Sequence, residues 1–413
     1  MTRLAVVSYH SSPLIEPGVG DAGGMTVYVR ALAETLAGSG VATDVFTRSS
    51  SGFIEVATIH PDVRVVSIPA GPPGTLSKDR SIDSIEEFLA GVTAFAESGS
   101  RYDLVHSHYW QSGLAGISLA RTWDVPLVHS HHTLARVKNG SLAPGDAPEP
   151  YVRIAGEQRV IKEAGVLIAS TEEERHQLAS LYRAPRDRLK TIFPGVDHAR
   201  FFPGDRGAAR VATGLDPDAA ILLYVGRIQP LKGLDLAIRA LEELSSALER
   251  RVMLVVVGGA SGPHGRSEEQ RLLELAADLG VADRVAFAGP QPHPRTPDFY
   301  RAADLVAVCS YSESFGLSAL EAHACGIPVI GTDVGGLSHI VADGDSGFLI
   351  AERDPSLFAA RAKPLLSDPD MRDGFSKQAV RSASKFTWER TAMEMLELYE
   401  CLMSEDLPEV CTC

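Results

Sequence analysis

Ile221-Leu-Leu-Tyr-Val-Gly-Arg-Ile-Gln-Pro-Leu-Lys-Gly233, running on into Leu234–Leu244, is the segment from which the architecture can be read. It opens with an unbroken apolar run, Ile221–Val225, closed by Gly226, the pattern of a strand buried on both faces of a parallel sheet. From Leu234 the apolar residues return at helical spacing. The same strand-then-helix unit recurs outward in both directions. Towards the N-terminus the expected strands are Leu4–Tyr9, Thr43–Thr47, Val63–Ile68, Asp103–His108, Pro126–Ser130, Val166–Ser170 and Leu189–Phe193, with helical stretches such as Val27–Leu36 between them. Towards the C-terminus they are Val252–Val257, Val285–Ala288, Leu305–Val308, Pro328–Ile330 and Gly347–Ile350. Such alternation predicts an α/β protein with two doubly wound sheets in tandem. The segment Phe193–Gly204, containing Pro194-Gly-Val-Asp197, is the natural linker.

Length and composition agree with two domains. A chain of 413 residues is longer than one hydrophobic core ordinarily supports. The expected division is 1–197 and 198–387, then an amphipathic helix within 388–405 and a disordered tail over 406–413. With 39 basic against 53 acidic residues the net charge is −14, which argues against a nucleic-acid or anionic-membrane partner. No apolar run is long enough for a membrane span, and the opening run is too short for a signal-peptide core, so a cytoplasmic location is expected. Cys309 and Cys325 read as core residues, and Cys411 and Cys413 close the polar tail.

An anionic ligand must therefore meet a local basic pocket. Arg227 and Lys232 flank the turn after the Ile221–Val225 strand, and a helix N-terminus follows, an arrangement suited to a diphosphate. A second polar loop, Ser312-Glu-Ser-Phe-Gly316, enters a short helix carrying Glu321. Amides at Phe315, Gly316 and Leu317 there face an anion, Glu321 can accept two ribose hydroxyls, and Glu313 can hold hydroxyls of a transferred sugar. Near the N-terminus, Gly18-Val-Gly-Asp-Ala-Gly23 imitates a dinucleotide fingerprint, but His10–Pro17 separate it from the strand that such a fingerprint must follow at once. The loop is read instead as a flexible floor approaching a ligand near Gly24.

Taken in order, Pro194–Asp197, Gly226-Arg227 to Lys232-Gly233, and Glu313 with Glu321 resemble the proline-glycine-valine-aspartate hinge, the G-R-x-x-x-x-K-G element and the E-x7-E motif of the family 4 glycosyltransferases. The resemblance implies a GT-B fold, two Rossmann-like domains facing a central cleft, with the last helix crossing back to the first domain. It implies retaining transfer from a nucleotide sugar bound by the C-terminal domain, with Gln291 near the base and no metal required for catalysis. A structural Mg2+ held partly by carbonyls at Tyr300, Arg301 and Ala303 is a further implication.

The N-terminal half is similar to the D-inositol-3-phosphate glycosyltransferases of mycothiol biosynthesis through His10-Ser-Ser-Pro13, Gly20–Met25, Leu76-Ser-Lys78, His106–Trp110 and His132-Thr-Leu134. Those enzymes transfer N-acetylglucosamine from UDP-GlcNAc to 1D-myo-inositol 3-phosphate. The similarity implies acceptor contacts at His10, Asp21, Ala22, Gly23, Gly24, Met25, Thr26, Lys78, Tyr109, Thr133 and Arg153, and donor contacts at Glu16, Pro17 and Gly24. Lys78 and Arg153 read as the cations for the acceptor phosphate. Thr26 replaces an asparagine of the family and Glu16 a glutamine. The histidines at 106, 108, 129, 131 and 132 read mostly as structural rather than as a zinc site.

The expected reaction is attack by the acceptor hydroxyl on the face that UDP leaves, with Arg227, Lys232 and the Gly316 amides stabilising the diphosphate. His132 would orient the sugar or steady positive charge. The partners are then a UDP-sugar donor and a phosphorylated polyol or sugar acceptor, with a homodimer as the candidate assembly. The alternatives are a sucrose-phosphate synthase-like transfer to fructose 6-phosphate, a GT-B phosphorylase or epimerase, and a catalytically silent sugar-nucleotide sensor.

Overall fold

A computed structural model describes residues 2–18, 20, 22–74, 81–262 and 264–404. Eight strands form the first sheet: β1 (Arg3–Val7), β2 (Ala42–Ser49), β3 (Glu55–His60), β4 (Val63–Pro69), β5 (Leu104–His108), β6 (Leu127–Ser130), β7 (Val166–Ala169) and β8 (Leu189–Thr191). Their spatial order is β3-β4-β2-β1-β5-β6-β7-β8. Six more form the second: β9 (Ala220–Val225), β10 (Val252–Val257), β11 (Val285–Gly289), β12 (Leu305–Val308), β13 (Val329–Thr332) and β14 (Gly347–Ile350), ordered β11-β10-β9-β12-β13-β14. In each sheet the order reverses beside the first strand, β1 or β9, and doubly wound sheets offer ligands a crevice at that reversal, beyond the strand C-termini.

The period of two along each strand divides its apolar residues between two cores. In β1, Ala5 and Val7 join Tyr9, Phe46 and Phe88 on one face, while Leu4 and Val6 join Tyr28, Leu36 and Tyr399 on the other. In β9, Leu222 and Tyr224 pack towards Leu241 and Phe358, while Ile221 and Leu223 pack towards Tyr300 and Phe315. That double burial is why both strands lack polar alternation.

The sequence did not reveal β3. It is an antiparallel edge strand against β4, its residues are half-buried or exposed, and Glu55, Thr58 and His60 interrupt any apolar run. The sheet is therefore mixed at one edge rather than wholly parallel, as expected from the sequence. The other strands agree to within a few residues.

The chain crosses between the sheets twice at one place. Val196 bridges Thr387, and a Cβ on Gly195 would lie 2.2 Å from the Trp388 nitrogen, so only glycine fits this crossing. Thr387 then caps the helix Trp388–Met403 by accepting from the Arg390 amide at 3.1 Å. Its Trp388, Met395 and Tyr399 bury against Tyr28 and Leu36, in the core of the first sheet. Cys309 and Cys325 are buried thiols, as expected, whereas Cys411, Cys413 and the proposed tail lie outside the described residues. Among the described residues no helix is long and apolar enough to cross a membrane.

Candidate active site

The donor-side residues converge from three turns of the second sheet. Pro230–Lys232 forms one short helical turn, and Gly233 takes φ 61 to redirect the chain into the helix Asp235–Ala247. Lys232 Nζ then lies 2.6 Å from Glu313 Oε2, which also accepts from the Ser310 hydroxyl at 2.9 Å. The cation expected for diphosphate and the carboxylate expected for sugar hydroxyls are thus one ion pair, with side chains 21% and 15% exposed. Gly316, at φ 101, starts the helix Leu317–Ala324, whose first amides receive no side-chain cap. An anion is the natural complement to such a terminus.

Glu321 is more constrained than the sequence suggested. Its Oε1 lies 2.9 Å from His293 Nε2, and its Oε2 accepts from the Tyr300 hydroxyl at 2.8 Å. Each oxygen keeps a lone pair for a ligand hydroxyl, while the two partners fix the carboxylate's direction. Glu321 shares an interdomain cavity with Glu16, Pro17, Thr26, His293 and Leu317. Gln291 turns its amide to the Ala288 carbonyl at 2.8 Å.

The glycine loop of the first domain closes on this site. A Cβ on Gly23 would approach Arg227 Nε to 3.3 Å, and one on Gly24 would approach Leu317 to 3.1 Å. Ser261 donates to the Gly20 carbonyl, Ser314 to the His132 carbonyl, and the His293 amide to Glu16 at 3.1 Å. Ala22 is buried within the loop, and Met25 packs beside the core under the helix Gly24–Ala37. Asp21 and Lys78 lie outside the described residues.

On the acceptor side Arg153, read from sequence as a cation for the acceptor phosphate, already has partners of its own. It is 4% exposed and saturated: Nε to Glu157 at 2.8 Å, Nη1 to Glu149 at 2.9 Å, and Nη2 to the Thr133 carbonyl and hydroxyl at 3.1 and 2.9 Å. Helical geometry accounts for Glu157, one turn after Arg153 in the helix Tyr151–Glu163, whereas Glu149 precedes the N-cap Pro150 and is held by the loop, where Asn139 binds its backbone. Its guanidinium also covers the Tyr109 ring at 5.0 Å, and Tyr109 packs against His10 at 4.3 Å. Arg153, Tyr109, Thr133 and His10 therefore do form one patch. Thr26 faces elsewhere: its hydroxyl donates to the Gly23 carbonyl at 2.6 Å and it lines the cavity by Glu321.

The histidines form a packed block. His106 meets the Tyr399 hydroxyl at 2.7 Å and Ser130 at 2.9 Å, Ser107 meets His129 at 2.8 Å, and His108 meets His132 at 2.9 Å. Burial holds His106, His131 and His132 down to about 3, helped at His131 by Arg153. All three rings are neutral near neutral pH. Among the described residues no three histidine, cysteine or acidic side chains converge as metal ligands. His132 has φ 60, turning its carbonyl towards the second domain and Ser314. The ring expected to steady positive charge is instead tied to His108.

Several contributors escaped sequence reading. Arg353 binds the Cys309 and Gly233 carbonyls and Asp235, with its guanidinium 3.7 Å from the Tyr311 ring, so it joins the Lys232 turn to the strand leading to Glu313. Gly335 and Gly336 lie under Glu313 and Phe315, where Cβ atoms would approach the loop backbone to 1.6 and 2.6 Å. The glycine pair was a visible signal; Arg353 had none. At the suggested cation site, Tyr300, Arg301 and Ala303 offer neutral carbonyls with no carboxylate among them, a set that fits only a loosely held Mg2+.

Comparison with known proteins settles the class. Residues 205–382 match the family of glycosyl transferases group 1, and residues 23–195 match the glycosyl transferase 4-like domain. A D-inositol 3-phosphate glycosyltransferase of Catenulispora acidiphila is 48% identical across 96% of this chain and 94% of its own length. This chain belongs to that glycosyltransferase family. A relative of the same name from Nocardia farcinica is 47% identical across 98% of this chain and 90% of its own length. Among solved structures, sucrose-phosphate synthase from Thermosynechococcus elongatus superposes with TM-score 0.89 at 30% identity, covering 97% of this chain and 98% of that one. Anabaena HepE in complex with UDP and glucose shares the fold at TM-score 0.78 and 20% identity, covering 97% of this chain and all of that one. The glycosyltransferase therefore has the GT-B fold, with its cleft between the two sheets.

Proposed function

We propose that this glycosyltransferase moves N-acetylglucosamine from UDP-GlcNAc to 1D-myo-inositol 3-phosphate with retention of anomeric configuration. The observation that carries the reading is the Ser314 hydroxyl bound to the His132 carbonyl, which ties the loop of the Lys232–Glu313 pair to the strand end that carries Thr133 and its partner Arg153. One end suits a diphosphate and a sugar, the other a polar acceptor bearing an anion. The relatives' shared name supports the inositol phosphate over other acceptors.

In this mechanism Glu321 holds the ribose and Arg227 and Lys232 meet the diphosphate, joined by the amides of Phe315, Gly316 and Leu317. The acceptor hydroxyl attacks the anomeric carbon as the bond to the β-phosphate oxygen breaks, on one face of the sugar. The proton passes to the departing phosphate oxygen, so no side-chain base is needed. Glu313 positions sugar hydroxyls and, through its ion pair, Lys232. His132 acts through its carbonyl and its fixed backbone rather than as a charged ring. A Mg2+ held by carbonyls of Tyr300, Arg301 and Ala303 would have no part in the chemistry, and a homodimer is the proposed assembly.

The test is UDP release from UDP-GlcNAc against inositol 3-phosphate, free inositol and fructose 6-phosphate, with the product's anomeric configuration read by NMR. Turnover with inositol 3-phosphate and an α-linked product is expected. Turnover with fructose 6-phosphate alone would move the enzyme to the chemistry named for its sucrose-phosphate synthase neighbour.

A further inference from the structure

Two carboxylates, one buried and one partly exposed, neutralise Arg153, and they differ in how they are held. Glu157 is fully buried and fixed on every side: both oxygens accept from the Ala135 amide at 3.1 Å, the Tyr182 hydroxyl donates to it, and Arg153 Nε closes the set at 2.8 Å. Glu149 reaches the site from the other direction. Its carboxylate, 16% exposed, bridges Arg153 Nη1 at 2.9 Å and Lys138 Nζ. Its backbone is pinned separately, its amide donating to Asn139 Oδ1 at 2.7 Å and its carbonyl accepting from Asn139 Nδ2 at 3.4 Å. The Glu149 side chain can therefore rotate out to solvent without moving the chain, whereas Glu157 cannot.

Lys138, Arg153, Glu149 and Glu157 sum to zero charge. Among these four described groups a phosphate would meet no net positive charge, and placing an anion against a neutral, largely buried group is costly. With Glu149 turned outward the remaining three groups carry one net positive charge. Two donors, Lys138 Nζ and Arg153 Nη1, are then released at the point its carboxylate had filled, beside the Thr133 hydroxyl.

We propose that Glu149 occupies the place of the acceptor's phosphate and competes with it, and that Lys138 is a second phosphate-binding cation. This rests on the acceptor reading above. It turns the Arg153 patch into a gated site: an acceptor bearing a dianion displaces the Glu149 carboxylate, while one without it leaves Glu149 on its two cations. Discrimination for the phosphorylated acceptor then comes from Lys138 and Glu149 as well as from Arg153.

The experiment uses the full-length enzyme with inorganic phosphate as an inhibitor competing with the acceptor. Glu149→Gln keeps the side chain's shape and removes its charge. The inhibition constant of phosphate, and the KM for inositol 3-phosphate, should each fall about tenfold, the scale of one charge-assisted contact. Donor KM should stay within about twofold, since no donor contact changes. Lys138→Met should raise both acceptor-side constants by about tenfold, and Lys138→Arg should restore most of the loss. A Glu149→Gln enzyme that melts like the wild type yet keeps both constants, or raises them, overturns the proposal. Should that variant fail to fold, Glu149→Asp, which keeps the charge but shortens its reach, must also lower the phosphate constant. Equal use of inositol and its phosphate by the wild type would sink the acceptor assignment, while the phosphate constants would still report on Glu149.

Discussion

The two walls of the cleft are built on opposite electrostatic plans. On the donor wall Lys232 and Glu313 pair one to one, partly exposed, at the ends of neighbouring strands. On the acceptor wall Arg153 is buried, answered by two carboxylates, and set beside a block of neutral histidines. The first arrangement leaves charge available to a ligand and costs little to maintain. In the second the buried cation is already answered by its own carboxylates, so deleting the fully buried Glu157 would leave a charge unpaired in the interior. Substitutions on the donor wall should therefore cost turnover and spare the fold, whereas perturbing the acceptor wall should register in stability.

The largest contrast is expected at Lys232. Lys232→Ala removes the cation that the proposed reaction sets against the leaving diphosphate, and kcat/KM should then drop by about 10²- to 10³-fold, the usual consequence of losing one such contact. Because the pair is part-exposed, the melting temperature should hardly move. Steady-state UDP release beside a thermal melt checks both halves. Near-normal turnover would remove Lys232 from the donor site and erase the distinction between the walls.

The acceptor wall should answer to pH instead. His106, His131 and His132 sit near 3 in the folded protein because burial disfavours their charged form. Unfolded, they titrate near the ordinary value of about 6.5. Between those values the unfolded chain binds more protons than the folded one. The stability they contribute is thus complete above about 6.5 and declines as pH falls towards 3, by up to about 1.4 kcal/mol per pH unit for each ring. Glu174, pushed up to about 7 by burial, works in the opposite sense between its ordinary value and 7, but it is one group against three. Melts from pH 8 to pH 4.5 should show a plateau and then a steep fall below about 6.5. A maximum near pH 5 would mean that the histidine block is not closed to protons.

What could be read from sequence follows the same division. The motifs of the proposed donor wall were legible because each is short and follows a buried strand, but the Lys232–Glu313 ion pair and the hold of His293 and Tyr300 on Glu321 were not. The acceptor wall was legible only as a set of names. The burial of Arg153 was not legible because it depends on the helix Tyr151–Glu163 packing under Tyr109, a tertiary fact. Only the Arg153–Glu157 spacing was a helical pairing signal, because Glu149 lies before the helix and its approach is set by the loop. Arg353 and the edge strand β3 were out of reach for a plainer reason: one acts through carbonyls far away in sequence, and the other buries too little to show a pattern.

The smallest expected effect lies where the walls meet. A methyl group on Gly23 would stand 3.3 Å from Arg227 Nε, tight but not impossible. Gly23 has an extended backbone, with φ −162, so alanine there strains nothing locally. The only cost of Gly23→Ala is a shift of a few tenths of an ångström in Arg227, which should raise donor KM by about threefold to tenfold and leave the melting temperature unchanged. The size of the change measures how tightly the closed cleft holds Arg227 on the diphosphate. No change in donor KM would mean that Arg227 reaches the ligand from a position that the glycine loop does not control, and the two walls would then act on the donor independently.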